Sequence, residues 1–112
     1  MTLEQYKRDM FIINKENRCR SQAGQLDIIK VDIKNAINGH EFALKSNWEY
    51  YIMHLYYEDI NCNWKTLAQL NQAYHTKNYE KLLSLIIELQ EYYLQKANRQ
   101  RKILIKIHEV KQ

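Results

Sequence analysis

The chain contains no proline and only two glycines, Gly24 and Gly39, in 112 residues. An all-β protein of this length needs turn residues at every strand reversal, so that architecture is excluded. Cys19 and Cys62 are too few for a disulfide framework or a cysteine-based metal cluster, and both are expected to be reduced thiols. No apolar run approaches the roughly 18 residues that a membrane-spanning helix requires. The N-terminus, Met1-Thr2-Leu3-Glu4, lacks the basic and then apolar pattern of a secretory leader. These absences lead to the expectation of one helical domain over 1–112, in the cytoplasm, with no membrane partner.

What is present is a chain that is 46% hydrophobic and carries nine tyrosines, a composition that can build a core. Its net charge of +4 is unevenly spread. Residues 96–112 hold Lys96, Arg99, Arg101, Lys102, Lys106 and Lys111 against Glu109 alone, whereas residues 21–95 carry six basic and nine acidic side chains. A basic end steers anionic partners. It is also the ordinary charge of a helix C-terminus, where cations oppose the helix dipole.

Helical signals run along the chain. Thr2 and Gln5 match a capping box, opening a first helix to about Arg18 with Leu3, Tyr6, Met10, Ile13 and Asn17 on one face. Arg20-Ser21-Gln22-Ala23-Gly24 reads as a turn, with a small irregularity in one longer helix as the alternative. Leu26, Ile29, Ile33 and Ile37 form the stripe of a second helix, which Asn38-Gly39 stops. A third helix is expected from Glu41 to about Tyr57, with Phe42 near its start and Leu44, Trp48, Tyr51, Ile52 and Leu55 inward. After a polar loop, Asn63 caps a short helix from Trp64 to about His75 carrying Leu67, Leu70, Asn71 and Tyr74. Asn78 caps the longest segment, with Leu82, Ile86, Leu89, Tyr93, Ala97, Gln100, Leu104 and Ile107 on its inner face. The expected class is therefore all-α, a small bundle of four to five helices with a long C-terminal helix. So long a helix must pair with the N-terminal helices or with a second copy of the chain.

Catalytic patterns are missing. His40, His54, His75 and His108 include no i,i+4 pair and no His-Glu-x-x-His, which excludes a helix-borne zinc protease. Glu58-Asp59 is the one adjacent carboxylate pair, and no further oxygen ligands stand near it in sequence. Cys62 has no orienting partner that would make it a nucleophile with His54 or His75. Neither glycine lies in a phosphate-cradling loop. No catalytic residue, metal or cofactor is expected.

From Leu44 to Leu83 the chain resembles the latter part of a J-domain, the helical hairpin of Hsp40-type co-chaperones. The resemblance rests on a helix ending at Tyr57-Glu58-Asp59-Ile60-Asn61, then Leu67-Ala68-Gln69-Leu70-Asn71-Gln72-Ala73-Tyr74 and Asn78-Tyr79-Glu80-Lys81-Leu82. Of the family's His-Pro-Asp signature only Asp59 survives, and no Lys or Arg stands between Lys45 and Lys65. The resemblance implies a J-like scaffold without co-chaperone activity, reused for binding. Independently of any family, Trp48, Tyr51, Leu55, Leu67, Leu70 and Tyr74 have the spacing of facing core residues in two antiparallel helices.

Two binding surfaces follow. Tyr56, Tyr57, Glu58 and Asp59 place exposed aromatics beside polar groups, a pattern of protein-binding sites, and mark the chain as an adaptor or inhibitor, with a homodimer through the C-terminal helix as a further option. Small basic helical proteins of this kind are frequent among mobile-element products, by association rather than by physics. The alternative is nucleic-acid binding through Lys96, Arg99, Arg101, Lys102 and Lys106.

Overall fold

Local hydrogen bonding sets each helix boundary in the computed structural model, which describes residues 1–40, Trp48 and 64–110. Three helices are present among the described residues: α1 (Leu3–Ile37), α2 (Trp64–His75) and α3 (Tyr79–Val110). At the start of α1 the Thr2 N–H donates to Gln5 Oε1 at 2.9 Å, and the Gln5 N–H donates to Thr2 Oγ1 at 3.1 Å. Two orphan donors of the first turn are thereby satisfied reciprocally. The helix ends where His40 N–H reaches back to Asn35 O (2.9 Å) and Gly39 N–H to Ala36 O (3.1 Å). That closure needs a left-handed residue, which Gly39 supplies at φ 91°.

The same closure ends α2 with a costlier residue. Asn78 N–H bonds Ala73 O at 2.9 Å, Lys77 N–H bonds Tyr74 O at 3.1 Å, and Lys77 sits at φ 58°. Asn78 then accepts the Lys81 N–H on its Oδ1 at 3.3 Å, capping α3 as expected. The α2–α3 connection is therefore only Thr76–Asn78 long.

Between Arg20 and Gly24 the expected break is absent, and α1 runs through it. Glycine costs a helix interior about 1 kcal/mol. Cys19, Ala23 and Leu26 are buried on either side of Gly24, and their packing outweighs that cost. The first two expected helices are thus one, and three helices are seen among the described residues. The helix expected from Glu41 to Tyr57, the polar loop after it and the Asn63 cap lie outside the described residues, apart from Trp48.

The described chain forms two compact units, Met1–Leu26 with Leu89–Gln112, and Asp27–Glu88. In the second unit Ile29 and Ile33 of α1, Leu67, Leu70 and Ala73 of α2, Leu82 and Ile86 of α3, and Trp48 are buried. Trp48 Nε1–H donates to Asn71 Oδ1 at 2.9 Å. Its ring stacks on Tyr74 with centroids 4.6 Å apart and 15° between planes. Trp48 and Tyr74 thus meet as their spacing predicts and Leu67 and Leu70 are buried, while Tyr51 and Leu55 fall outside the described residues. Ile37, the end of the predicted stripe, is exposed.

The first unit is an antiparallel pair of helices, α1 against the far half of α3. The inner face predicted for α3 is observed: Leu89, Tyr93 and Ala97 are buried, and Gln100, Leu104 and Ile107 are half-buried. The stripe predicted for the start of α1 is not. Leu3, Tyr6 and Asn17 are exposed and Met10 and Ile13 half-buried, while Asp9, Ile12, Glu16, Cys19 and Ala23 form the buried line.

Three substitutions test these backbone assignments by thermal melting. A Cβ at Gly24 meets nothing within 4 Å, so Gly24→Ala should stabilise by about 1 kcal/mol. Lys77→Gly should also raise Tm, by relieving a left-handed conformation worth about 1 kcal/mol. Gly39→Ala should lower Tm by a similar energy. A lower Tm for Gly24→Ala would mean that α1 is broken there.

Candidate interaction surface

In the first unit the helices are joined by polar groups at the positions where apolar side chains ordinarily pack. Glu16 is only 5% exposed at its side chain, and its Oε2 accepts from Arg20 Nε at 2.8 Å and from Arg101 Nε at 3.2 Å. Seven residues earlier on α1, Asp9 is buried, and its Oδ2 lies 3.0 Å from His108 Nε2, seven residues after Arg101. A neutral imidazole protonated at Nε2 makes that bond, and imidazolium adds charge to it. Arg8 also contacts Asp9 Oδ1 at 3.2 Å.

Two further bonds carry the same register toward the middle of the helices. Arg20 Nη2 donates to Asn98 Oδ1 at 3.1 Å. Gln90 Nε2 donates to the Ala23 carbonyl at 2.8 Å. Gln22 Oε1 is buried with no hydrogen-bond partner among the described residues.

The Arg20 hydrogen bond holds the Glu16 carboxyl below its ordinary range; burial pushes it back up, and Arg101 adds to the lowering. Arg20 and Arg101 remain 41% and 59% exposed at their side chains. The carboxylates are therefore inside and the guanidinium groups outside.

Beside these interior carboxylates, large apolar groups lie at the surface of the unit. Leu3 is 67% exposed, Tyr6 53%, Ile105 49% and Leu94 38%, with Phe11 and Ile103 also exposed. The unit carries eleven Lys and Arg against five Asp and Glu. Asp27–Glu88 has six against eight.

The residues predicted to bind nucleic acid separate into three environments. Arg101 is engaged with Glu16. Lys96 stands 5.5 Å from the Tyr92 ring centroid, within cation–π range. Arg99, Lys102 and Lys106 are exposed, share one face by their three- and four-residue spacing, and make no ion pair among the described residues. Tyr56, Tyr57, Glu58 and Asp59 lie outside the described residues, as does Lys111.

The polar layers went unread in the sequence, although a signal for them exists. Asp9 and Glu16 are seven apart, as are Arg101 and His108. Two turns of helix separate the members of each pair, so opposite charges coincide twice along an antiparallel pairing. Among the described residues no group of three or more His, Cys, Asp or Glu could hold a metal ion. No helix there is long and apolar enough to cross a membrane. No protein-family model, curated protein or solved structure matches the chain.

Removing the two sides of the Glu16 cluster should have unequal effects. Glu16→Gln leaves two arginines that can turn to water, and should cost about 1–2 kcal/mol. Arg20→Ala with Arg101→Ala strands a buried carboxylate, and should cost about 3 kcal/mol or more. Equal losses in chemical denaturation would show that Glu16 is not effectively buried.

The pH dependence has a definite sign. A lowered carboxyl contributes stability above its unfolded value and loses it as pH falls through the folded value. The stability gap between wild type and Glu16→Gln should thus be complete at pH 7 and close as pH drops below the ordinary value of 4.5. A gap that persists to pH 2 would remove the ion pair from the explanation.

Proposed function

We propose that the chain is a non-enzymatic protein-interaction module, an adaptor or inhibitor working in the cytoplasm. The observation that carries this reading is the inverted pairing of α1 with α3, in which Asp9 and Glu16 are buried while Leu3, Tyr6 and Ile105 face solvent. Scattered exposed apolar residues are ordinary. Exposed apolar side chains next to an interior that holds two carboxylates are not, because exchanging the two would strengthen an isolated helix pair. The arrangement suits a surface that is covered by a partner. The loop Tyr56–Asp59 stays a second candidate on sequence grounds. The J-domain resemblance has the same standing, and its most specific residues, Asn71 and Tyr74, are the ones that hold Trp48, which core packing accounts for without common ancestry.

Nucleic-acid binding is the second reading, favoured by one observation, the exposed line Arg99, Lys102 and Lys106. Each phosphate contact contributes about 0.9 to the slope of log affinity against log salt. If this reading holds, replacing all three by Gln should reduce that slope for duplex DNA by about 2–3.

Affinity capture with and without nuclease discriminates the two. On the protein-binding reading, the captured partner survives nuclease and is lost with Tyr6→Ser plus Ile105→Ser or with Tyr57→Ala plus Asp59→Ala. Capture that disappears with nuclease and with the three-Gln variant would overturn it.

A further inference from the structure

The exposed apolar residues of the helix pair are not randomly placed; several share one edge. Tyr6, Ile13 and Arg20 recur every seven residues on α1 and therefore line one side of it. On α3 the same holds for Leu94, Arg101 and His108, and for Asn98 and Ile105. Arg20 reaches Asn98, Arg101 reaches Glu16, and His108 reaches Asp9, so these lines face each other across the seam. The edge thus carries Tyr6 and the half-buried Ile13 on its α1 side and Leu94 and Ile105 on its α3 side. Arg20, Arg101 and His108 cross between them.

We propose that this edge seats an acidic amphipathic helix from a partner protein, completing a three-helix arrangement. The inference rests on the protein-interaction reading and specifies its surface and its partner's chemistry. The edge has the two features such a helix requires, apolar anchors and a fixed complementary charge. From Tyr6 to Arg20 it runs about 21 Å at 1.5 Å per residue, the length of about 14 helical residues.

Charge selects the occupant. The carboxylates of Asp9 and Glu16 are buried, so at the seam a docking helix meets the guanidinium groups of Arg20 and Arg101 and the imidazole of His108, while the exposed carboxylates Glu91 and Glu109 stand on the outer side of the Asn98 and Ile105 line. Arg101 spends its Nε on Glu16, and its two terminal nitrogens make no hydrogen bond among the described residues. A partner carboxylate can take those donors without releasing Glu16. A second copy of the chain would set one helix pair with an excess of six positive charges against another, within a Debye length. Nucleic acid would gain nothing from Tyr6, Ile13, Leu94 or Ile105, and Arg99, Lys102 and Lys106 lie on a different face of α3.

The test uses the full chain and a fluorescein-labelled helical peptide of about 18 residues, with Leu on one face and Glu flanking it. Its counterpart carries Lys in place of Glu, and a duplex DNA of similar length completes the set. Expected are binding of the Glu peptide, weakened by salt, much weaker binding of the Lys peptide, and a Kd at least tenfold higher in Tyr6→Ser plus Ile105→Ser. Val31→Ser, an exposed residue of the other unit, should bind normally. Circular dichroism checks that the double variant stays folded, as exposed positions allow; if it does not, Ile105→Ser alone carries the same expectation with a smaller loss. Equal binding of both peptides, no loss in the variants, self-association without peptide binding, or binding of DNA alone each overturns the proposal. If cellular capture persists in Tyr6→Ser plus Ile105→Ser but is lost in Tyr57→Ala plus Asp59→Ala, the edge is refuted and the interaction reading stands. If only the duplex is bound and nuclease abolishes capture, both fall.

Discussion

A buried carboxylate governs how α1 meets α3. Apolar contact is non-directional, and two helices with small buried residues such as Cys19, Ala23 and Ala97 could slide by a turn with modest loss. Glu16 removes that freedom. A slip of one turn would carry Arg101 away and leave a desolvated charge with half its partners, a state that costs several kcal/mol. Asp9 and His108 repeat the constraint two turns on, so a slip would have to break both layers together. Polar pairs at interior positions contribute less net stability than leucines would, and they specify register more sharply.

The same constraint explains the surface. Every interior position given to Asp9, Glu16 or Gln22 is one that an apolar side chain does not occupy, and Leu3, Tyr6 and Ile105 are left outside. In Asp27–Glu88 the described buried residues are apolar, although Ile28, Val31, Ile37 and Ile87 are exposed there as well. Trp48, Leu70, Leu82, Ile33 and Ile86 are buried there, and the polar link from Trp48 to Asn71 is neutral. The contrast between the units is one of chemistry as well as charge, with a conventional apolar core in one and a charged seam in the other.

How much of this was legible in the sequence follows from where local signals and tertiary pairing agree. Caps are local: Thr2 with Gln5, Gly39, and Asn78 were each readable and each makes the expected bond. The inner face of α3 was readable because its apolar positions are occupied by apolar residues. Asp9 and Glu16 defeat that reasoning, since any scale of hydrophobicity assigns a carboxylate to solvent, and the apolar line beside them, Leu3 to Ile13, then looks like the core. The pairing of Arg101 with Glu16 was illegible for the same reason, because the two stand eighty-five residues apart. The uninterrupted course of α1 through Gly24 likewise depends on flanking burial that no local pattern encodes.

On the proposed docking of an acidic helix, Arg20 and Arg101 would serve two ends at once. A surface arginine that binds a partner must first give up considerable side-chain freedom, a cost of roughly 1 kcal/mol or more for each immobilised chain. Here Glu16 has already ordered both guanidinium groups during folding, with their Nε atoms turned inward. A carboxylate arriving at the edge finds donors in place and incurs little further ordering cost, and its own charge is met by groups whose excess Glu16 only partly neutralises. On that proposal, burial of one acid inside the fold would prepare it to recognise acids outside it.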